Sequence, residues 1–329
     1  MRSLKAHKFK AAEWLMPEGE RYKSLRSLEG ALDFLASKSF ERNDLVLALG
    51  GGVVGDLAGF SAAVYLRGVP LVQVPTTLLS QIDSSVGGKT AVNLPQGKNL
   101  VGAFHQPAAV LIDIETLATL PPRELVAGFC EMVKQALIAS RSLFEQTVNY
   151  LRASNVRNEF RPTNELAGLI TKHCEFKASI VAGDERESLD RVDVKSRKVL
   201  NFGHTTAHAL EAVTNYRVFR HGEAVGYGLL VAGQLSRNLG LLDEDDELAL
   251  REAVRLCGPL PVANKLNAED IMQAINHDKK SLGGKINWVL LERIGVPRIV
   301  EGKNISKRLL RQSLQAVLNG PTKKKEYYN

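Results

Sequence analysis

Residues 45–104 read LVLALGGGVVGDLAGFSAAVYLRGVPLVQVPTTLLSQIDSSVGGKTAVNLPQGKNLVGAF. The apolar run at 45–49 predicts a buried parallel strand. It ends in Gly50, Gly51, Gly52, Val53, Val54, Gly55 and Asp56, and an apolar helical segment follows. Gly50, Gly52 and Gly55 fit a G-x-G-x-x-G spacing between strand and helix, the context that the motif needs. Glycines let the backbone approach a pyrophosphate, whose negative charge the helix N-terminus faces. The acidic ribose ligand usual about 20 residues further on is missing, since that neighbourhood holds Gly68 to Val72. The stretch therefore predicts a nucleotide site unlike that of an ordinary Rossmann dehydrogenase.

Downstream, Asp83, Lys89, Lys98 and Asn99 are expected in loops rich in Gly, Ser and Thr. One lysine there reads as a solvated turn. Two Gly-Lys pairs behind a nucleotide turn read as backbone amides and ammonium groups that surround phosphate.

Working outward, 329 residues suggest about two domains. The 44% hydrophobic content is ample for large cores. No apolar run approaches a membrane span, and the start, MRSLKAHKFK, lacks a signal-peptide core. Cys130, Cys174 and Cys257 have neither metal nor redox spacing, which fits a cytoplasmic protein. The net charge of +7 lies largely in glycine loops rather than on one basic helix. Anionic small molecules explain it better than nucleic acid.

In chain order, residues 1–43 predict a helical lead-in. Glu20 and Lys23 read as a surface ion pair before a periodic apolar helix. Residues 71–74 and 110–114 predict further strands, so 1–121 is expected to be an α/β domain of Rossmann-like type. Residues 122–329 are expected to form an all-α domain. Arg67 reads as a helix-terminal charge. Residues 122–140 predict an amphipathic helix with Glu131 and Lys134 on one face. Apolar neighbours make that pair look buried, and buried pairs are costly and often functional. Three of the seven histidines, His204, His208 and His221, fall within 18 residues downstream and suggest a metal site. Spacing alone makes His204 and His208 the chelating pair. A strand is expected at 286–291, after His277-Asp278-Lys279-Lys280.

GGGVVGDLAGF, VPTTLLSQIDSSVGGKTAVN, GKNLVGAFHQP, GFCEMVKQALI, LNFGHTTAHALE, HGEAV and HDKK together resemble the 3-dehydroquinate synthase family, part of the sugar-phosphate cyclases. The resemblance runs from Glu18 to about Pro297. It implies NAD, catalytic zinc (cobalt or another divalent metal as substitute), a cytoplasmic homodimer and a sugar-phosphate substrate, 3-deoxy-D-arabino-heptulosonate 7-phosphate. It assigns Glu131, His204 and His221 to the metal, which leaves an open coordination position. To NAD it assigns Glu20, Lys23, Gly50, Gly51, Gly52, Val53, Gly55, Asp56, Thr76, Thr77, Asp83, Lys89, Lys98 and Thr119. Lys89, Asn99, His208 and Lys280 (or its neighbour Lys279) are expected at the phosphate, with Arg67 reaching in from a partner subunit. Lys177, Arg197 and Asn201 are expected at the carboxylate, and Asp83 and Lys134, with zinc, at the hydroxyls.

The reaction so implied is transient oxidation by NAD, phosphate elimination, re-reduction and an intramolecular aldol closure. A sibling cyclase, a metal-dependent polyol dehydrogenase and an inactive homologue are the alternatives. Two departures from the family pattern stand out. Only 16 residues precede Pro17, where the family has a further strand–helix unit; this leads us to expect an exposed strand edge and weaker NAD binding. Residues 188–196 read as an insertion near Arg197.

Overall fold

The computed structural model describes residues 1–154, 160–188, 191, 193–281 and 286–319, the side chains of 278–281 lying outside the described set. It divides into two compact units, Met1–Thr116 and Leu117–Asn329.

The first unit is α/β. Helix α1 (Arg2–Ala6) is short, and residues 9–17 have no regular structure, so the lead-in is less helical than expected. A 3-10 turn, Glu20–Tyr22, precedes α2 (Leu25–Ser37), which Ser24 caps by accepting from the Ser27 amide. Strand β1 (Val46–Gly50), helix α3 (Gly52–Val64) and strand β2 (Leu71–Pro75) follow, then a wide turn at Ser80–Ser84. Strands β3 (Lys89–Leu94), β4 (Gly97–Phe104) and β5 (Ala109–Val110) complete the unit. The parallel sheet has the order β1-β2-β5, and Leu47 pairs with Val72. β3 and β4 form a separate antiparallel pair, with Lys89 opposite Phe104.

Helix α3 is the centre of this unit. Leu57 and Phe60 pack with Leu28 of α2 and Val92 of β3. Ala62 joins Ala48, Val69 and Leu71 over the sheet.

Three further expectations for this unit's strands are corrected. Strand β1 is parallel but not buried: Leu45, Leu47 and Leu49 are exposed, and Ala48 is its buried residue. β1 is hydrogen-bonded to β2 alone among the described strands, and α3 packs on the face that carries Ala48. Its side chains therefore alternate between cover and exposure. The strand expected at 110–114 stops at Val110, because Asp113 accepts from the Glu115 amide and turns the chain into a 3-10 segment, Ile114–Thr119. Lys89, Lys98 and Asn99 lie on strands rather than in loops, since Thr90, Ala91 and Val92 are buried and hold the β3–β4 pairing.

Among the described residues, the second unit is helical and carries one hairpin. Its helices are α4 (Pro122–Ala139), α5 (Arg141–Ala153), α6 (Asn164–Gly183), α7 (His204–Val213), α8 (His221–Asn238), α9 (Glu244–Leu256), α10 (Ala268–Ser281) and α11 (Lys307–Leu318). Strands β6 (Asn287–Arg293) and β7 (Val296–Glu301) pair antiparallel between α10 and α11. Helix α4 is not amphipathic: every residue from 125 to 138 is buried, so it is the core helix. Among the described residues, no helix is long and apolar enough to cross a membrane.

A buried histidine records this packing. His173 of α6 is fully enclosed and meets Thr147 of α5 and Gln135 of α4, each at 3.2 Å. Burial pushes its pKa down to about 3. The unfolded chain takes up this proton near pH 6.5, whereas the native state resists it until about 3. Its contribution is complete above pH 6.5 and is lost as pH falls, by about 1.4 kcal/mol per pH unit. Between pH 7 and 5 the loss is about 2 kcal/mol. Urea unfolding of wild type and His173→Asn at the two pH values checks this, and equal pH slopes would contradict it.

Candidate metal and nucleotide sites

In the first unit the glycine turn joins β1 to α3. Gly51 caps α3 without a side chain, so the first amides of a 13-residue helix lack a capping group from that residue. That is a position at which an anion replaces a cap. The Thr76 amide donates to Gly50 O at 2.9 Å. Thr77 and Ser80 exchange hydrogen bonds that shape the facing loop. Val53, Gly55 and Asp56 are half-buried in the first turns of α3.

Lys23 is buried, and its ammonium pairs with Asp56 and donates to Asn99 Oδ1. Glu20 accepts from Asn93 Nδ2 at 2.7 Å, so the surface pair expected between Glu20 and Lys23 does not form. Each turns to another element, because Lys23 sits inside, where Asp56 compensates its charge. Asn99 has a left-handed backbone, φ 57°, and its amide donates to Asn93 Oδ1. Asp83 and Lys98 are half-buried, while Lys89 and Arg67 are exposed. Thr119 is exposed at the end of its 3-10 segment, in the second unit.

In the second unit, α4, α7 and α8 bring Glu131, His204 and His221 together, with ligand atoms all within 4.8 Å of one another. Glu131 is fully buried and forms an ion pair with Lys134, whose Nζ is 2.6 Å from Oε2. The other oxygen, Oε1, faces the imidazoles: His221 Nε2 is at 3.4 Å and His204 Nε2 at 3.8 Å. Ligand atoms around a tetrahedral zinc stand about 3.3 Å apart, given bonds near 2.0–2.1 Å. The outer nitrogens are engaged elsewhere. His204 Nδ1 donates to Phe202 O at 3.3 Å, and His221 Nδ1 faces Glu211 Oε2 at 3.2 Å. With each Nδ1 so engaged, it is Nε2 of both rings that is turned toward Glu131 and placed to meet a cation, the pattern of histidine metal ligands. The residues present therefore fit a divalent metal.

Charge in this cluster is strongly biased. Burial alone would raise the Glu131 pKa, but the Lys134 ammonium and both imidazoles hold it well below the usual carboxylate range. Burial, with the Lys134 charge, pushes His204 well down. His221 is pushed up to about 10, because Glu131 and Glu211 outweigh its burial.

His208 is exposed, and its ring lies 5.5 Å from that of His204 and 6.0 Å from that of His221. Lys177 is buried on α6. Arg197 is buried at the start of a 3-10 turn, Arg197–Asn201, and donates to Glu185 O at 2.8 Å. Asp184 accepts from the Arg197 amide at 2.9 Å. Asn201 is exposed and donates to Glu187 Oε1 at 3.4 Å. The Lys279 and Lys280 side chains lie outside the described residues.

Residues 13–127 match the family description "3-dehydroquinate synthase N-terminal", and residues 128–281 match "3-dehydroquinate synthase C-terminal". The 3-dehydroquinate synthase of Nostoc sp. strain PCC 7120 is 44% identical over 316 residues, covering 95% of this chain and 84% of that protein. The chain belongs to the 3-dehydroquinate synthase family. A second member, from Methylacidiphilum infernorum isolate V4, is 42% identical over 316 residues, with 96% of this chain and 83% of its own length covered.

Among solved structures, 2-epi-5-epi-valiolone synthase from Streptomyces hygroscopicus, with NAD+ and Zn2+ bound, superposes with a TM-score of 0.85 at 27% identity over 95% of this chain and 84% of its own. A 2-deoxy-scyllo-inosose synthase complex with carbaglucose-6-phosphate, NAD+ and Co2+ gives 0.76 at 28% identity, over 91% and 80%. Glycerol dehydrogenase from Schizosaccharomyces pombe, at 15% identity and a TM-score of 0.62 over 96% and 78%, shares the fold.

Three residues of this family member escape a reading by motif. Glu211 stands seven residues after His204 on α7, and that spacing on one helix face was the available signal. Glu223 is fully buried, accepts from the Arg220 amide at 2.8 Å, and is gripped by Arg123 of α4 at 2.8 and 2.6 Å. Asp184 holds the backbone of Arg197. No sequence spacing announces either of the last two.

Gly222 sets the approach of α8 to α4. A Cβ there would lie 2.0 Å from Ala127 O, a backbone atom that cannot move aside. Gly222→Ala is expected to cost about 1–3 kcal/mol as overpacking, and to weaken metal binding by separating His221 from Glu131. Thermal melting and a zinc titration check both. A variant with wild-type zinc affinity would show that this contact does not set the site.

Proposed function

We propose that this chain is an NAD- and zinc-dependent 3-dehydroquinate synthase, a lyase that converts 3-deoxy-D-arabino-heptulosonate 7-phosphate into 3-dehydroquinate and phosphate in aromatic amino acid biosynthesis. The observation that carries the reading is the Glu131, His204 and His221 cluster in a chain 41–44% identical over nearly its whole length to proteins of that name. In this reading Glu131, His204 and His221 hold the metal, and the glycine turn with the α3 N-terminus holds the pyrophosphate of NAD. When bound, NAD supplies a hydride acceptor and zinc a Lewis acid.

The remaining work falls to side chains. Lys134 is fixed by Glu131 and presents an ammonium beside the metal position, where a substrate hydroxyl that loses its proton is stabilised. Arg197 and Lys177, both buried in the second unit, offer a cationic grip for the substrate carboxylate. Lys89 and Lys98 of the first unit offer ammonium groups to phosphate. The departing phosphate is itself basic enough to take the proton from the adjacent carbon, so the reading needs no separate strong base. A cytoplasmic homodimer in which Arg67 serves the partner's site completes the proposal.

A sibling cyclase is the second reading, favoured by the superposition on 2-epi-5-epi-valiolone synthase. The carboxylate grip separates the two, because siblings act on substrates without that group.

Incubation with the heptulosonate phosphate, NAD and zinc is expected to release one phosphate per substrate, with no growth of the NADH absorbance. Accumulating NADH would indicate a polyol dehydrogenase instead. Preference for a sugar phosphate without a carboxylate would indicate a sibling. His221→Ala is expected to lower the rate by at least about a hundredfold, since Lewis-acid stabilisation is worth several kcal/mol. Retention of the wild-type rate would remove the metal from the reading.

A further inference from the structure

His221 has two carboxylates, one at each ring nitrogen: Glu131 Oε1 at 3.4 Å from Nε2 and Glu211 Oε2 at 3.2 Å from Nδ1. Their roles differ. Oε1 of Glu131 also faces His204 Nε2, so three ligand atoms converge on that side of the ring. On the other side, Glu211 is buried on α7 and reaches the ring that α8 presents. A neutral imidazole has one N–H, and the ring nitrogen that carries it cannot bind a metal. Either tautomer suits the ring by itself, so the neighbour of Nδ1 decides which nitrogen offers a lone pair.

We propose that Glu211 is a positioning residue for His221: by accepting from Nδ1–H, its carboxylate fixes the tautomer and ring rotation that aim Nε2 at the metal. The proposal rests on the metal reading above. Helix α7 thus contributes twice, supplying His204 as a ligand and orienting the ligand of the next helix. Glu211 also belongs to a second possible metal group, with His208 and His221. That group is the weaker candidate, because His208 is exposed and the group leaves the fully buried Glu131 carboxylate out.

The test uses the whole chain. Zinc affinity is measured by chelator competition, and Co2+ absorption reports coordination geometry, for wild type, Glu211→Ala, Glu211→Gln and His208→Ala. Melting of the metal-free proteins runs in parallel. Glu211→Ala is expected to lose about 10–100-fold in zinc affinity. Glu211→Gln keeps an acceptor oxygen and is expected to recover most of that loss, and His208→Ala is expected to bind as wild type does. Should Glu211→Ala melt early without metal, Glu211→Gln carries the test: zinc affinity near wild type with an unchanged Co2+ spectrum is expected, and a loss of about tenfold or more overturns the proposal. Equal zinc affinity in wild type and Glu211→Ala overturns this proposal alone. Parallel losses in Glu211→Ala and His208→Ala overturn it too, by making Glu211 a direct ligand. A wild-type chain that binds no zinc overturns both this proposal and the metal reading beneath it.

Discussion

The buried carboxylate of Glu131 is the constraint on which the second unit depends. It lies in the middle of α4, the helix with the most enclosed surroundings in that unit. An isolated charge there would be untenable, since removing a carboxylate from water costs several kcal/mol even after relaxation. One oxygen is compensated by Lys134 from the next turn of the same helix. The other is left facing two imidazoles at distances too long for strong hydrogen bonds. A divalent cation at that place would turn a destabilising burial into a coordination bond. The apolar shell that makes Glu131 costly also strengthens the field at the metal.

The rest of the unit keeps the imidazoles in reach of that oxygen. Helix α8 begins at His221, and its first turn lies directly on the backbone of α4 through Gly222 and Ala127. Glu223 closes the helix start by accepting from the Arg220 amide, and Arg123 ties it back to α4. Helix α7 is fixed to α8 by a similar contact, because a Cβ on Gly228 would fall 2.0 Å from Gly203 O. Gly203 is also the left-handed residue, φ 81°, from which α7 and His204 start. The placement of His204 and His221 is therefore a consequence of two backbone contacts that only glycine permits.

This explains what could be read from the chain and what could not. The α/β character of the first unit was legible from the strand–glycine turn–helix order, and the helical second unit from its periodicity. The burial of β1 was misread because an apolar run does not say how many faces are covered: Leu47 and Leu49 face outward where Ala48 faces α3. The β3–β4 pair was misread because glycine and serine suggested loops, while Thr90, Ala91 and Val92 were already a buried strand. Among the site residues, the histidines announced themselves by clustering. Glu211 left only its spacing from His204 as a signal, and Glu223 and Arg123 left none, because they work through a contact across the chain. Arg123 and Glu223 are 100 residues apart in sequence.

The first unit follows the same logic with the sign reversed. Lys23 is a buried cation, and Asp56 on α3 compensates it. Asn99 on β4 accepts from the same ammonium at 2.5 Å. The segment that carries Lys23 is stitched to β3 as well: the Asn93 amide donates to Lys23 O, and Asn93 donates to Glu20. One ammonium thus joins the helix that follows the glycine turn to the hairpin that bears Lys89 and Lys98. A substitution at Lys23 would take this partner from the half-buried Asp56 and remove the polar tie between α3 and β4, leaving the packing of Leu57 and Phe60 on Val92 to hold the hairpin. The charge of Lys23 thus ties α3, which follows the glycine turn, to β4 of the hairpin.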